Sequence, residues 1–290
     1  MKIVVIGAGL IGTSIALGAK RAGAEVQLFD EDGRAQNLAN DLVESVVIED
    51  PTIVVIATPT SALSGVVNRY KNLYPKSTFI DIGSTKTKVK VEVQTDIALS
   101  RRFCPTHPMA GRELDGAEAA QSDLFVGKSW IITPLPETSG ESIALVKELI
   151  EKLGARVIAM SPEDHDSAVA SVSHLPQIIS SLLAAQLENK SPEFLALAGS
   201  GVMDTTRIAG SNPDLWREIL RLNREAIEPL LKDFQKDLST LIDSYNVSDV
   251  LERGRRGRQS LPGKHRSASR SYTYLPVVID DKPNQLALLF

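Results

Sequence analysis

The sequence contains little cysteine, few aromatic residues and no excess of positive charge. Of its 290 residues one is cysteine, 5% are aromatic, and 32 Lys and Arg face 36 Asp and Glu, for a net charge of −4. A single cysteine, Cys104, excludes an internal disulfide. Because phosphate recognition needs a basic footprint, nucleic acid and membrane are not expected as main partners. We expect a small-molecule ligand instead.

Long hydrophobic runs are also missing. Charges or prolines interrupt every candidate before the ~20 apolar residues that span a bilayer, and "MKIVVIGAGLIG" lacks the basic start and small-residue cleavage site of a signal peptide. These features predict a soluble, cytoplasmic protein. A composition of 43% hydrophobic and 23% charged residues is ordinary for a globular chain and leaves room for two domains.

The first half alternates short apolar runs with amphipathic stretches. Consecutive apolar residues are typical of strands buried on both faces, which predicts an α/β domain with a mostly parallel sheet over residues 1–161. "GESIALVKELIEKLG" is an amphipathic helix before the last strand. The strand candidates are "KIVVIG", "EVQLFD", "TIVVIATP", "STFIDIG", "SWIITP" and "ARVIAMS".

The second half changes character. Residues 162–250 contain no strand candidate, only helical patterns broken at Pro176, Pro192, Pro213 and Pro229, which predicts an all-helical domain. Its many alanines and leucines predict a homodimer through this domain. Residues 251–271 are basic and rich in Ser and Gly, as in a flexible linker, and apolar patterning resumes over 272–290.

A glycine motif opens the first domain. Gly7, Gly9 and Gly12 follow an apolar strand in G-x-G-x-x-G spacing, and Asp30 ends the second strand 18 residues later. The glycines permit a tight turn, close approach of a pyrophosphate and close helix packing, and the carboxylate accepts hydrogen bonds from a ribose. The motif predicts a Rossmann-type domain. Leu10, Ile11 and Thr58 complete the predicted cofactor-binding set.

The same residues bear on the choice of cofactor. A carboxylate at Asp30 repels a 2′-phosphate, which favours NAD. Arg34, four residues later, keeps NADP open, although a solvated arginine at a helix start explains it equally well.

Residues just after strands are site candidates, because ligands bind beyond the carboxyl ends of the strands in open α/β sheets. Ser84 follows one strand and is interpreted as a ligand contact or as a turn serine, while Lys86 is interpreted as a solvated charge. His107 lies between Pro105 and Pro108, which restrict the backbone.

Three roles are open to His107: metal ligand, structural hydrogen bonder or base. No metal is expected, because no second His or Cys lies at ligand spacing and Cys104 is interpreted as a small buried hydrophobic residue. Beside a dinucleotide motif, a rigid imidazole suits general-base work during hydride transfer.

The helical half adds further candidates. His165 is interpreted as capping or packing near a helix start, whereas His174 precedes Pro176, where a kink would expose backbone to a ligand. Arg207 is interpreted as a bidentate carboxylate binder, with Trp216 near it in sequence.

Several motifs taken together resemble the prephenate and arogenate dehydrogenases of tyrosine biosynthesis, in order from Met1 to about Val250. The resemblance implies NAD(P)-dependent oxidative decarboxylation of arogenate or prephenate to tyrosine or 4-hydroxyphenylpyruvate. The motifs are "GAGLIG", "DIGSTK", "HPMAGRE", "LF" at 124 and 125, "HDSAVASVSHLP" and "DTTRIAGSNPDLW".

The resemblance also implies roles for single residues. His107 would accept the proton of the ring hydroxyl, Ser84 would hydrogen-bond that hydroxyl, and Arg207 would bind the departing carboxylate. His174 and Glu113 would place the substrate and Trp216 would wall the pocket. In the family an acidic residue near Glu113 and Asp115 goes with arogenate use.

Residues 272–290 resemble the first strand and helix of a regulatory ACT domain, of which only this first part is present.

Two alternatives to the dehydrogenase function stay open. A β-hydroxyacid dehydrogenase would show a catalytic lysine in the helical domain, but neither Lys190 nor Lys232 sits in a convincing motif. A non-enzymatic, NAD-sensing regulator would leave His107, Ser84 and Arg207 unexplained.

Overall fold

The computed structural model describes residues 1–110 and 116–261, which contain seven strands and thirteen α-helices. The strands are β1 (Lys2–Ile6), β2 (Glu25–Phe29), β3 (Ile53–Ile56), β4 (Thr78–Asp81), β5 (Thr106–Pro108), β6 (Ser129–Ile132) and β7 (Arg156–Ala159). The helices of the first half are α1 (Leu10–Arg21), α2 (Gly33–Val43), α3 (Leu63–Tyr70), α4 (Thr87–Gln94), α5 (Ile97–Ser100) and α6 (Gly140–Lys152). Those of the second half are α7 (Pro162–Val169), α8 (Leu175–Ala185), α9 (Pro192–Leu195), α10 (Ser200–Thr206), α11 (Pro213–Leu222), α12 (Arg224–Ser244) and α13 (Val247–Ser260).

The strands form a mostly parallel arrangement, as predicted. The first sheet is parallel in the order β2-β1-β3-β4, and the second has the order β5-β6-β7, with β5 antiparallel to β6. A parallel bridge between Phe79 and Phe103 joins the edges of the two sheets. The chain adds β2 on one side of β1 and then β3 and β4 on the other, so the strand order switches between β1 and β3. Open α/β sheets bind ligands at such a switch point.

The sheet has a hydrophobic core on each face. Along β1, Ile3 and Val5 belong to one buried cluster with residues of α1 and α6, while Val4 and Ile6 belong to a second cluster with residues of α3 and α4. Alternate side chains of a strand point to opposite faces, so a strand buried on both faces must be apolar at every position. The prediction from the unbroken apolar runs is confirmed.

From Pro162 to Leu261 the described chain is helical and contains no strand, as predicted. Pro192 and Pro213 each lie in the first turn of a helix, where a missing N–H costs nothing. The predicted break at Pro229 is wrong, because α12 continues through it at the loss of one backbone hydrogen bond.

The flexible linker predicted from residue 251 is wrong over its first ten residues, which belong to α13. Arg253 and Arg255 there form helix-surface ion pairs. Arg253 contacts Asp249 one turn earlier at 2.9 Å and Asp237 of α12 at 2.8 Å. The rest of the predicted linker and the ACT-like segment 272–290 lie outside the described residues.

The chain groups into two compact units, Met1–Leu231 and Lys232–Phe290, so the unit boundary lies within α12. The first unit contains both sheets and all the site residues described below. A boundary at 161/162 between a nucleotide-binding and a helical domain stays a prediction.

One helix, Pro162–Ala185, is long and apolar enough to cross a membrane by length and composition alone. This differs from the expectation that charge or proline would interrupt every such run. The helix contains His165 and Asp166, both buried and hydrogen-bonded to the sheet domain. Such contacts are typical of a helix packed against the core of its own protein.

Candidate active site

The three glycines form a tight turn between β1 and α1. Gly7 has φ +112°, and a Cβ there would lie 2.4 Å from the Ala57 carbonyl oxygen. A Cβ at Gly12 would lie 2.0 Å from the Gly7 carbonyl oxygen. Gly9, by contrast, is exposed and would have no heavy atom within 4 Å of an added Cβ. The first and third glycines are needed for packing, and the second leaves open space at the start of α1.

Asp30 closes this loop. One carboxylate oxygen accepts a hydrogen bond from the Ala8 N–H at 2.6 Å, and the other accepts from the Asp32 N–H at 2.8 Å. Arg34 is exposed in the first turn of α2, whose N-cap is Asp32. The acidic residue predicted at the ribose position therefore lies against the glycine loop.

This edge of the sheet fits a dinucleotide. The N-terminus of α1 has no side-chain cap at Gly9, so its backbone N–H groups are available to a phosphate. Across the switch point, the Thr58 hydroxyl is buried and has no hydrogen-bond partner among the described residues. This hydroxyl therefore keeps its full capacity to form hydrogen bonds. Leu10 is buried and Ile11 half-buried in the first turn of α1.

His107 lies inside a strand and not just after one. Its strand, β5, is three residues long and pairs His107 with Ile131 of β6. A strand this short, which follows Pro105 and ends with Pro108, carries no detectable period in the sequence. The imidazole is half-buried at the edge where β4 ends.

His107 belongs to a chain of hydrogen bonds that the sequence does not reveal. Its Nδ1 lies 2.9 Å from Nε2 of His165, and Nδ1 of His165 lies 2.8 Å from a carboxylate oxygen of Asp166. The interpretation of His165 as a cap is wrong, because the Ser161 hydroxyl caps α7 and His165 is fully buried.

The order of donors follows from Asp166. Burial alone would raise the pKa of Asp166, but hydrogen bonds from His165 and from the backbone N–H groups of Thr87 and Lys86 hold it below its usual value. An ionised carboxylate accepts from His165 Nδ1–H, so His165 Nε2 accepts from His107 Nδ1–H. The lone pair of His107 then lies on Nε2, on the side away from His165.

The position of Lys86 differs from its interpretation from the sequence. The side chain interpreted as a solvated charge is fully buried and forms an ion pair with Asp81. Its ammonium also donates to the Thr106 carbonyl oxygen at 2.7 Å. Burial lowers the pKa of Lys86, and the Asp81 carboxylate opposes that shift. The sequence feature that could have indicated this ion pair is Asp81, which ends β4 five residues before Lys86.

The surroundings keep His107 neutral. Burial, and then the neighbouring His165, Lys86 and His174, lower the pKa of His107 well below 6.5. Its unprotonated form therefore persists at neutral pH, as a general base requires.

His174 occupies a second polar position in the same part of the molecule. A π-helical turn, Ala170–His174, replaces the simple kink expected before Pro176. The Asn223 amide donates to His174 Nδ1 at 3.0 Å and to the Asp166 carbonyl oxygen at 2.8 Å. Burial lowers the pKa of His174 to about 4, so its ring is neutral with the proton on Nε2.

Trp216 and Arg207 lie in the helical half. Trp216 meets the His174 ring edge-on at 6.0 Å and lines a cavity of about 430 Å³ together with Gln177. The Gln177 side chain is buried, and its Oε1 has no partner among the described residues. Arg207 is exposed and begins the turn Arg207–Gly210, which is anchored by a Gln177 hydrogen bond to the Ile208 carbonyl.

Ser84 is half-buried in the loop between β4 and α4. Glu113 and Asp115 lie outside the described residues.

Cys104 is buried, as expected, and burial raises the pKa of its thiol to about 12, which rules it out as a nucleophile.

The chain is similar along most of its length to known enzymes. Residues 7–159 match the prephenate dehydrogenase nucleotide-binding domain, and residues 161–252 match the prephenate dehydrogenase dimerization domain. A cyclohexadienyl dehydrogenase of Zymomonas mobilis is 32% identical over 86% of this chain and 91% of its own.

Solved structures agree. A prephenate dehydrogenase of Aquifex aeolicus, in complex with hydroxyphenyl propionate and NAD⁺, has a TM-score of 0.79 at 28% identity and covers 89% of this chain and 96% of its own. A Synechocystis arogenate dehydrogenase has a TM-score of 0.73 at 29% identity and covers 90% and 97%. The chain therefore belongs to the prephenate dehydrogenase family and is an NAD-binding oxidoreductase of tyrosine biosynthesis.

Proposed function

We propose that this enzyme oxidises and decarboxylates arogenate, with prephenate as the alternative substrate, and that His107 is the general base. The observation that carries the proposal is the hydrogen-bonded series from His107 through His165 to Asp166, because it leaves His107 neutral with its lone pair on Nε2.

The residues divide the reaction between them. His107 accepts the proton of the ring hydroxyl, and Ser84 hydrogen-bonds the same oxygen. When bound, NAD⁺ would supply the acceptor for the hydride of the carbinol carbon. Once that carbon is a ketone, the bond between the ring and its carboxylate breaks and carbon dioxide departs. The electron pair of the broken bond stays with the ring and completes the aromatic system. The proton returns from His107 to the phenolate oxygen, so the base is regenerated.

Binding of the substrate is assigned to the helical half. Arg207 pairs with the ring carboxylate through its planar fork, His174 donates from Nε2, and Trp216 walls the pocket. Glu113 and Asp115 supply negative charge near the side chain of the substrate. An ammonium group is favoured there over an anionic keto acid, which is why arogenate is the preferred substrate.

The residues that would hold the cofactor are the glycine loop, Asp30, Arg34, Thr58 and Ser84. NAD is preferred over NADP because the Asp30 carboxylate repels a 2′-phosphate. We further propose a homodimer formed through the helical region. We also propose a cytoplasmic location, since the relatives named above are biosynthetic enzymes.

The test is the absorbance of reduced nicotinamide after adding arogenate or prephenate with NAD⁺. We expect turnover of both substrates, with the higher kcat/KM for arogenate.

His107→Asn should lower kcat by about 100-fold or more, the usual contribution of a positioned base, and leave NADH affinity unchanged. Full activity in His107→Asn would exclude the base assignment.

Asp115→Asn should lower kcat/KM for arogenate and spare kcat/KM for prephenate. Equal losses of kcat/KM for both substrates would refute the proposed preference for arogenate.

A further inference from the structure

The buried Lys86–Asp81 ion pair lies between the two segments that contain Ser84 and His107. Lys86 has no exposed surface and Asp81 is 3% exposed. Burying an ion pair is costly and is often no more stabilising than an apolar pair of similar size. Because stability alone does not account for this pair, its contacts suggest a role in the site.

The first set of contacts leads to His107. The Lys86 ammonium donates to the Thr106 carbonyl oxygen at 2.7 Å, and that carbonyl belongs to the peptide that begins His107. The Thr106 N–H donates to the Asp81 carboxylate at 3.3 Å, and the Thr106 hydroxyl donates to the Asp81 carbonyl oxygen at 2.6 Å. The pair and the backbone of Asp81 thus hold Thr106 at three atoms.

The second set leads to Ser84. The Asp81 oxygen that pairs with Lys86 also accepts the Gly83 N–H at 2.9 Å, just before Ser84. On the other side, the Lys86 N–H donates to Asp166 at 2.7 Å, the same oxygen that accepts from His165. The Ser84 loop is therefore fixed at both ends, by the ion pair and by the carboxylate that orients the histidines.

We propose that the Lys86–Asp81 ion pair is the positioning element that holds the Ser84 loop and the His107 strand in one catalytic arrangement. The inference rests on the proposed base role of His107. Lys86 acts through Thr106 and Asp81 acts through Gly83, so neither touches the reacting atoms.

The experiment compares neutral variants of the pair with an exposed lysine. Lys86→Met alone leaves a buried carboxylate unpaired and should destabilise the fold. The double variant Asp81→Asn with Lys86→Met removes both charges at similar volume and should restore Tm. We still expect its kcat to be about 10- to 100-fold below wild type, because small misplacements of reacting groups have effects of this size. NADH affinity should be unchanged.

The pH profile gives a second readout that a structural role would not move. His107 faces His165, Lys86 and His174, with Asp166 behind His165 and Asp81 behind Lys86. Loss of the positive charge on Lys86 raises the pKa of His107. The acid limb of kcat/KM should therefore move to higher pH in the double variant, and Lys88→Met, on the exposed side of α4, should leave kcat and the acid limb unchanged.

Asp81→Asn keeps the proposal testable if the double variant does not fold. Lys86, whose pKa burial lowers, can then shed its proton, so no unpaired charge stays buried. The same fall in kcat and the same movement of the acid limb are expected. A folded, NADH-binding variant of either kind with wild-type kcat and pH profile overturns the positioning role. Full activity of His107→Asn would instead overturn the base role, so the two failures are distinguishable.

Discussion

The sheet domain and the helical region bury different kinds of residue. The sheet domain has two apolar clusters, with Trp130, Phe79 and Phe103 among its fully buried side chains. Beyond Leu175, the buried apolar side chains of the described residues are Ile219 and Ile227 alone, while Leu197 is 82% and Ile242 is 70% exposed. The sheet domain has a core of its own, whereas the helical region leaves large apolar side chains exposed, which is the observation behind the proposed homodimer.

The helical region buries polar groups instead. His165, Asp166 and His174 are all at least 95% buried, and Asn223 joins two of them. Glu218 of α11 also accepts hydrogen bonds from the Ser61 N–H and hydroxyl at 2.8 and 3.1 Å, after β3. Since polar contacts are directional, they set geometry more than they add stability. The sheet domain provides the apolar core, and the helical region provides His165 and Asp166, which form the hydrogen-bonded series with His107.

The largest expected effect is loss of the proposed dimer. Phe234, Leu238 and Ile242 lie at i, i+4 and i+8 on one face of α12 and are 41%, 48% and 70% exposed. Leu238→Asp with Ile242→Asp places unpaired charge in the proposed interface, which costs several kcal/mol. Light scattering should show a monomer with a lower Tm. Val47→Asp, at an 83% exposed site of the sheet domain, is the matched control and should stay dimeric. A dimer in both variants would place the interface elsewhere.

The next effect separates substrate from cofactor. Arg207→Ala in the helical region should weaken substrate binding by about 2 kcal/mol, as for a lost charge-assisted pair. Steady-state kinetics should show a higher KM for the substrate and an unchanged KM for NAD⁺. Arg255→Ala, an exposed arginine of α13 paired with Glu252, is the control. An unchanged substrate KM in Arg207→Ala would contradict the assignment.

The smallest effect belongs to the sheet domain. Asp30→Ser removes the carboxylate that repels a 2′-phosphate and should narrow the preference for NAD over NADP by about 1 kcal/mol, the interaction of two charges near each other in water, while the KM for the substrate stays unchanged. The measurement is kcat/KM for each cofactor in the two proteins, with the nearby exposed Glu31→Gln as control. A wild-type preference for NADP would refute the role of Asp30 and shift attention to Arg34.

Much of the fold and part of the site could be predicted because the signals are local. Continuous apolar runs indicated strands buried on both faces, and the glycine spacing indicated the turn at the start of α1. His107 stood out because of its flanking prolines. The error over α13 arose because ion pairs such as that between Arg253 and Asp249 support a helix despite its glycine-rich, basic composition.

The sequence by itself determined the two-part architecture, the dinucleotide loop and the identity of the candidate base, since each depends on residues within a few turns or strands of one another. Only the tertiary structure decided what orients that base. His165 reaches His107 across 58 residues, and Asp166 reaches the backbone of Lys86 across 80. No periodicity records such pairings, because a hydrogen bond between distant segments depends on how the helices dock on the sheet. Burial of Lys86 was decided in the same way, by the packing of Asp81 and Thr106 around it.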